Sequence, residues 1–273
     1  MAEYFFLSQL QPLTPTHAIR VKVVSKWNTM RGGIPQHCVM VLGDEKGFTM
    51  EATLPDDVYL PKGIYLEEGD WFEIYNFKLR PSFALIRTTR SKYNIKFTDT
   101  TVLTKIEPII ASNFLCLANF SSVLKGLLHP MYSIDLCGAI VAVGELQQIG
   151  DLGPDEIYSY QTTRMEFYLV NIGYSLKHIK CVAYGKEAVT LNNYYRTSTA
   201  KVDLCVLRSW SIVWGEGGFN YVTNLEGGSQ ILFDHDMAEI QNFKSKGYTN
   251  FYPLMFVWSQ DSYHRIMNSD MES

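Results

Sequence analysis

The stretch "AKVDLCVLRSWSIVWGEGGFNYVTNL", Ala200 to Leu225, decides the fold. Apolar and polar residues alternate on both sides of "GEGG", Gly215 to Gly218, the pattern of two strands joined by a glycine-rich turn. Upstream, "RMEFYLVNIG" and "KHIKCVAYG" read as a second hairpin. The next segment, "KEAVTLNNYY", reads as a short helix opening just after Gly185. "YSIDLCGAIVAVGEL", Tyr132 to Leu146, reads as a strand, followed by the polar loop "QQIGDLGPDEIYSYQTT". "DHDMAEIQNFKSKG" closes this half as a helix, with Asp234 or Asp236 as N-cap and Gly247 as C′ residue.

The first half repeats the element order. "HAIRVKVVSKW" alternates Ile19, Val21 and Val23 with Arg20 and Lys22, a half-buried strand. After a loop over "NTMRGGIPQ", "HCVMVLGDEKGFTMEATLP" gives two strands about the turn "DEKG". "DDVYLPKGIYLEEGD" holds at most a brief helix, and the segment from Trp71 to Thr98 gives two more strands around "RPS". Five short strands and one small helix fit a small Greek-key barrel. The chain is therefore expected to be mainly β: two tandem five-stranded Greek-key barrels with short capping helices. Domain one covers residues 1–107, a connector 108–131, domain two 132–247 and a tail 248–273. In the connector, Leu124, Leu127 and Leu128 should form a docked apolar stripe.

Composition bounds the function. The chain has 273 residues, 47% hydrophobic and 14% aromatic, enough for two domains with real cores. Its net charge of -4 is uneven: residues 1–107 carry about +1 and residues 108–273 about -5. An acidic total disfavours strong nonspecific nucleic-acid binding, but a local basic groove needs only clustering. The run from Lys78 to Lys96 holds six Lys/Arg and no acid, a solvated strand face or a groove wall. The five cysteines are scattered, with no CxxC pair, so buried thiols are expected and zinc is not. The start lacks the basic segment and apolar core of a secretory leader, and polar residues break the apolar window Ile109 to Leu128, so no membrane partner is expected. No nucleophile, metal or phosphate-loop motif is present, and no cofactor or enzymatic activity is expected.

Ordered segments carry a resemblance. "IRVKVVSKW", "MVLGDEKGFTMEAT", "LEEGDWFEIYNFKL" and "SKYNIKFTDTTVL", then "SIDLCGAIVAVGEL", "MEFYLVNI", "IKCVAYGKEA", "LRSWSIVWGEGGFNYV" and "SQILFDHDMAEI", resemble the replication protein A large-subunit family. The similarity covers about residues 3–247 and is closest to the plant-type tandem OB-fold form. The family's zinc-bearing third OB domain and N-terminal interaction domain have no counterpart in this sequence.

The resemblance implies single-stranded DNA binding, with RNA possible, by basic residues that track the backbone and aromatics that stack bases. It implies nuclear roles in replication, repair, recombination or telomere maintenance, with partners among that machinery. Carried over to domain two, the base shelves fall on Tyr184, where the family usually has Trp, and on Trp214. Arg208 and Arg164 fall on basic groove positions, and Phe219 and Tyr221 are runner-up shelves. Domain one departs from the pattern. Its shelves fall near Leu54 or Pro55 and near Ile86, with Phe83 close by, and a basic position falls on Glu51. Arg20, Arg31, Lys78, Arg80, Arg87 and Arg90 remain as phosphate contacts. The competing reading is a protein-interaction module whose barrels have lost the groove.

Overall fold

The computed structural model describes residues 4–12, 18–31, 34–58, 65–149, 163–171, 177–200, 202–233 and 236–245. The chain divides into two compact units, residues 1–115 with 131–133, and residues 116–130 with 134 onward.

In the first unit the strands are β1 (Ala18–Arg31), β2 (Ile34–Asp44), β3 (Thr49–Pro55), β4 (Trp71–Tyr75), β5 (Lys78–Pro81), β6 (Tyr93–Lys96) and β7 (Val102–Ile106). β1 pairs antiparallel with β2 and β4, and β2 with β3. β6 pairs parallel with β3 and antiparallel with β5, while β7 pairs with β4. β4 and β5 are two halves of one bent strand, and β6 and β7 of another, so five strands close a barrel. The loop expected over Asn28 to Gln36 is almost all strand, because β1 and β2 continue their ladder out to Arg31 and Ile34. Of the segment 56–70, expected to hold at most a brief helix, residues 56–58 and 65–70 are not helical and residues 59–64 lie outside the described residues.

The second unit repeats the circuit with β8 (Ile134–Val143), β10 (Thr163–Val170), β11 (His178–Tyr184), β12 (Leu204–Gly215), β13 (Gly218–Asn224) and β14 (Gln230–Leu232); β9 (Gln147–Gln148) edges β10. Again the closing contact is parallel, Cys181 opposite Val222, as Ala52 is opposite Ile95 in the first barrel. Helix α2 (Gly185–Thr197) follows β11 as expected and buries Ala188 and Leu191. Helical residues 238–245 follow β14; Asp234 and Gly247 lie outside the described residues, as does the tail.

Both barrels turn the fourth strand with one device. In β4, Phe72 and Ile74 point into the core; after Asn76, Phe77 and Leu79 do so. In β12, Cys205 and Leu207 point inward; after Ser209, Trp210, Ile212 and Trp214 do so. Three residues instead of two separate the inward positions across each kink, so the alternation flips. The kink residues Asn76 and Ser209 sit at φ 60 and φ 58, the left-handed region that non-glycine residues seldom occupy. A buried hydroxyl from the break in the fifth strand holds each kink. Thr101 Oγ1 donates to the Asn76 carbonyl at 2.8 Å and accepts from the Thr98 amide at 2.8 Å. Ser229 Oγ donates to the Ser209 carbonyl at 2.6 Å and accepts from the Leu225 amide at 2.7 Å.

The stretch around α1 (Phe120–Leu124) is anchored differently from the expected leucine stripe. Phe120 and Val123 are buried and Leu124 and Leu128 pack beside the core, whereas Leu127 is exposed. The five-residue helix places Phe120 and Val123 on its inward side, and Leu127 lies beyond its end. No helix among the described residues is long and apolar enough to cross a membrane. Of the cysteines, Cys137, Cys181 and Cys205 are buried, Cys38 is half-buried and Cys116 is exposed, so burial holds for three of the five. Burial pushes the Cys137 thiol up to about 12 and the Cys181 and Cys205 thiols well above their usual range, which keeps all three protonated and unreactive.

Ser229→Ala removes the partner of the buried Ser209 carbonyl and of the Leu225 amide, whereas Thr101→Val removes a partner from the more exposed Thr98 amide and Asn76 carbonyl, the latter still within 3.4 Å of Thr98 Oγ1. Ser229→Ala should lower stability by about 1–3 kcal/mol and Thr101→Val by about 0.5–1.5 kcal/mol, read from urea unfolding midpoints. A change under half a kcal/mol would show that the hydroxyls do not hold the kinks.

Candidate nucleic-acid interface

Register defines equivalent positions. The ladder pair Ala52–Ile95 matches Cys181–Val222, which makes Pro55 the counterpart of Tyr184, His37 of Arg164 and Asn94 of Tyr221. These positions lie on the outer face formed by the second, third and fifth strands of each barrel.

In the first barrel this face holds a groove of about 600 Å³, the size of a small-ligand site. His37, Arg80 and Lys96 supply its basic side, Asn94 and Thr53 its neutral polar groups, and Asp56 and Asp57 its acidic rim. Lys78 lies opposite Lys96 in the ladder. Lys78, Arg80 and Lys96 make no ion pair among the described residues, so they present unneutralised charge. Strand alternation running unbroken from Ile74 would aim Lys78 and Arg80 at the core. The kink at Asn76 reverses the parity and puts both outside, where they are exposed.

The other expected contacts of this barrel lie elsewhere or are committed. Arg20 faces Glu73 across the β1–β4 ladder, 3.6 Å away, and stacks on the Tyr4 ring. A hydrogen bond to Tyr4 leads the causes that raise its pKa. Arg87 is half-buried and donates to the Ser82 carbonyl, and Arg90 lies over the Tyr132 ring at 5.5 Å. Arg31 ends β1, and its side chain is outside the described ones. Glu51 accepts from the Thr88 hydroxyl at 2.8 Å. Pro55 is buried and Leu54 packs on the core, so neither is a shelf. Phe83 and Leu85 are 85% and 92% exposed at the tip of the loop between β5 and β6.

In the second barrel, Tyr184 ends β11 and is the residue before α2. Gly185 takes φ 59, which lets the chain turn directly from strand to helix. Asn224 fixes the turn: its Oδ1 accepts from the Tyr184 amide at 2.7 Å, and its Nδ2 donates to the Tyr184 carbonyl at 3.2 Å. The Tyr184 hydroxyl lies near the Arg164 and Tyr221 side chains, close enough to raise the pKa of both. Burial, then proximity to Tyr184, raises the Tyr221 hydroxyl above its usual range. Arg164 is tied to Glu166 and donates to Gln147 at 3.1 Å. Burial pulls its pKa down, but Glu166 and Tyr184 outweigh that and raise it. Lys180 reaches the same Glu166 at 3.3 Å.

Trp214 is not on this face. It follows Trp210 and Ile212 on the inward side of β12 and packs on the core with Phe219, edge to face at 6.1 Å. A Cβ on Gly126, which sits at φ 71, would come within 3.1 Å of Trp214 Cη2, so glycine leaves room for the indole. Arg208 lies before the kink and donates to Gln230 at 2.9 Å. Of the expected set, the structure therefore brings together Tyr184 and Arg164 in one barrel and Lys78 and Arg80 in the other. Sequence reasoning missed His37, Asn94, Glu166 and Lys180. Their one available signal was strand pairing, which places residues from separate segments side by side.

Both side chains are half-buried, but only Trp214 packs against the core cluster, so Trp214→Ala should cost about 2–4 kcal/mol and Tyr184→Ala about 1 or less in denaturant unfolding. The reverse order would return Trp214 to the surface.

Residues 8–126 match a family described as domain of unknown function DUF223. No curated protein sequence matches the chain. Among solved structures, a replication protein A heterotrimer bound to ssDNA is 17% identical with a TM-score of 0.55, covering 88% of this chain and 54% of that one. Fission yeast Pot1 with ssDNA is 10% identical with a TM-score of 0.35, covering 87% of this chain and 90% of that one. The chain spans about half the length of the replication protein A chain it matches. The first likeness establishes the fold: two tandem OB-fold barrels in a mainly β chain.

Proposed function

We propose that this protein binds single-stranded nucleic acid, DNA foremost and RNA as the second ligand class, along the second-, third- and fifth-strand face of its OB folds. It acts by binding and not by catalysis, in the nuclear replication, repair, recombination or telomere processes implied by its resemblance to the replication protein A large subunit. The observation that carries this reading is the recurrence of one face. In the first barrel it is a groove with Lys78, Arg80 and Lys96 beside it, and in the second it is a paired tyrosine surface with two cations. Cations that track phosphates and rings that stack any base are the two parts a single-strand site requires. The similarity to a replication protein A heterotrimer described as bound to ssDNA supports it.

The first barrel supplies most of the electrostatics, since its cations are free of ion pairs and those of the second are shared with Glu166. A protein-interaction role has its own observation in the nearly full exposure of Phe83 and Leu85.

Fluorescence anisotropy with a labelled oligo-dT of about 30 nucleotides, long enough for two OB sites, tests the reading. Wild type should bind and weaken with salt. Arg80→Glu/Lys96→Glu should lose at least tenfold in affinity and flatten the salt slope by about 1.4, two phosphate contacts at ~0.7 each. No binding by folded wild type at low salt would contradict the reading and turn the search to a protein that docks on the Phe83 loop.

A further inference from the structure

The cation pair of the second barrel is already occupied by a carboxylate. Glu166 stands on β10 between Arg164 and Tyr168, and its two oxygens take different partners. Oε1 pairs with Arg164 and Oε2 with Lys180 at 3.3 Å. The side chains of Arg164, Glu166 and Lys180 are 30%, 22% and 23% exposed, so the triad sits at the surface of the face and is reachable by ligand. The Tyr184 ring adjoins it through Arg164, and Tyr221 adjoins Tyr184.

A carboxylate that bridges two cations with its two oxygens has the charge and the reach of one backbone phosphate with its two non-bridging oxygens. In the first barrel, register puts Val39 at the position of Glu166. We infer that Glu166 is an internal phosphate mimic, which holds Arg164 and Lys180 until a nucleic-acid phosphate displaces it. The inference rests on the single-strand reading above and adds to it a residue that lowers affinity by competition.

The physical consequence has a definite sign. A phosphate entering the face must break two ion pairs and leave a carboxylate near its own charge, both of which oppose binding. Removing the charge while keeping the shape, Glu166→Gln, takes away the competitor and the repulsion together. The amide oxygen still accepts one hydrogen bond, so the change is a mild one for the fold. Arg164 and Lys180 then lose the carboxylate they share, which favours a phosphate in its place and steepens the salt dependence.

The test is anisotropy with the same labelled oligo-dT on the full chain, comparing wild type, Glu166→Gln and Glu45→Gln. Glu45 is exposed on the β2–β3 turn of the other barrel, so its variant controls for the change in net charge. Thermal unfolding checks that each variant is folded. Glu166→Gln should bind about three- to tenfold tighter than wild type with a salt slope steeper by about 0.7 to 1.4, and Glu45→Gln should match wild type within twofold. Affinity that is unchanged or weaker in folded Glu166→Gln, beside wild type that binds, overturns the inference alone. An equal gain in both variants also overturns it, since bulk charge then explains the effect. Absence of binding by wild type and variants alike overturns it together with the single-strand reading.

Discussion

The arrangement of both barrels depends on a reversal of side-chain parity at the middle of the fourth strand. A β-strand alternates faces every residue, so one extra residue at a bulge moves every later side chain to the other side. Asn76 and Ser209 supply that residue in a backbone region that costs energy to occupy. A hydroxyl in the fifth strand offsets the cost by satisfying the kink carbonyl, and the same hydroxyl takes up the amide freed where the fifth strand bends. Bend and kink are thus one feature, made once in each barrel from different residues.

The reversal decides what each face can do. It turns Phe77 and Leu79 inward and Lys78 and Arg80 outward in the first barrel. It turns Trp210, Ile212 and Trp214 inward in the second. One barrel gains exposed cations and the other an enlarged aromatic core. The second barrel's outer face is then furnished by β10, β11 and β13, where Arg164, Glu166, Lys180, Tyr184 and Tyr221 meet. The two barrels share a face but not its composition: free cations dominate one, and rings with internally paired charges the other.

Much of the fold was legible because alternation is a local signal. The hairpin at "GEGG", the hairpin from Arg164 to Tyr184 and the helix after Gly185 stand where the pattern puts them. Tyr184 and Trp214, each followed by glycine, are alike in the sequence because nothing local distinguishes them. Tyr184 precedes a strand-to-helix turn on an uninterrupted strand, while Trp214 lies five residues beyond the parity change at Ser209, a serine that reads as an ordinary polar strand residue. The hydroxyls of Thr101 and Ser229 likewise look like any turn hydroxyl until their burial is known. Glu166 and Lys180 are fourteen residues apart with a strand turn between them, and only the ladder brings them together.

The central claim is that the second-, third- and fifth-strand face carries the nucleic acid in both barrels. Ultraviolet cross-linking of oligo-dT to the protein, with the linked residues identified by mass spectrometry, reads that face directly. The account predicts adducts at Tyr184 or Tyr221 and at His37, Asn94 or Lys96, the residues that register aligns around the face. Adducts confined to the β1–β4–β7 side around Arg20 and Glu73, or to Trp214 and Phe219, would contradict it.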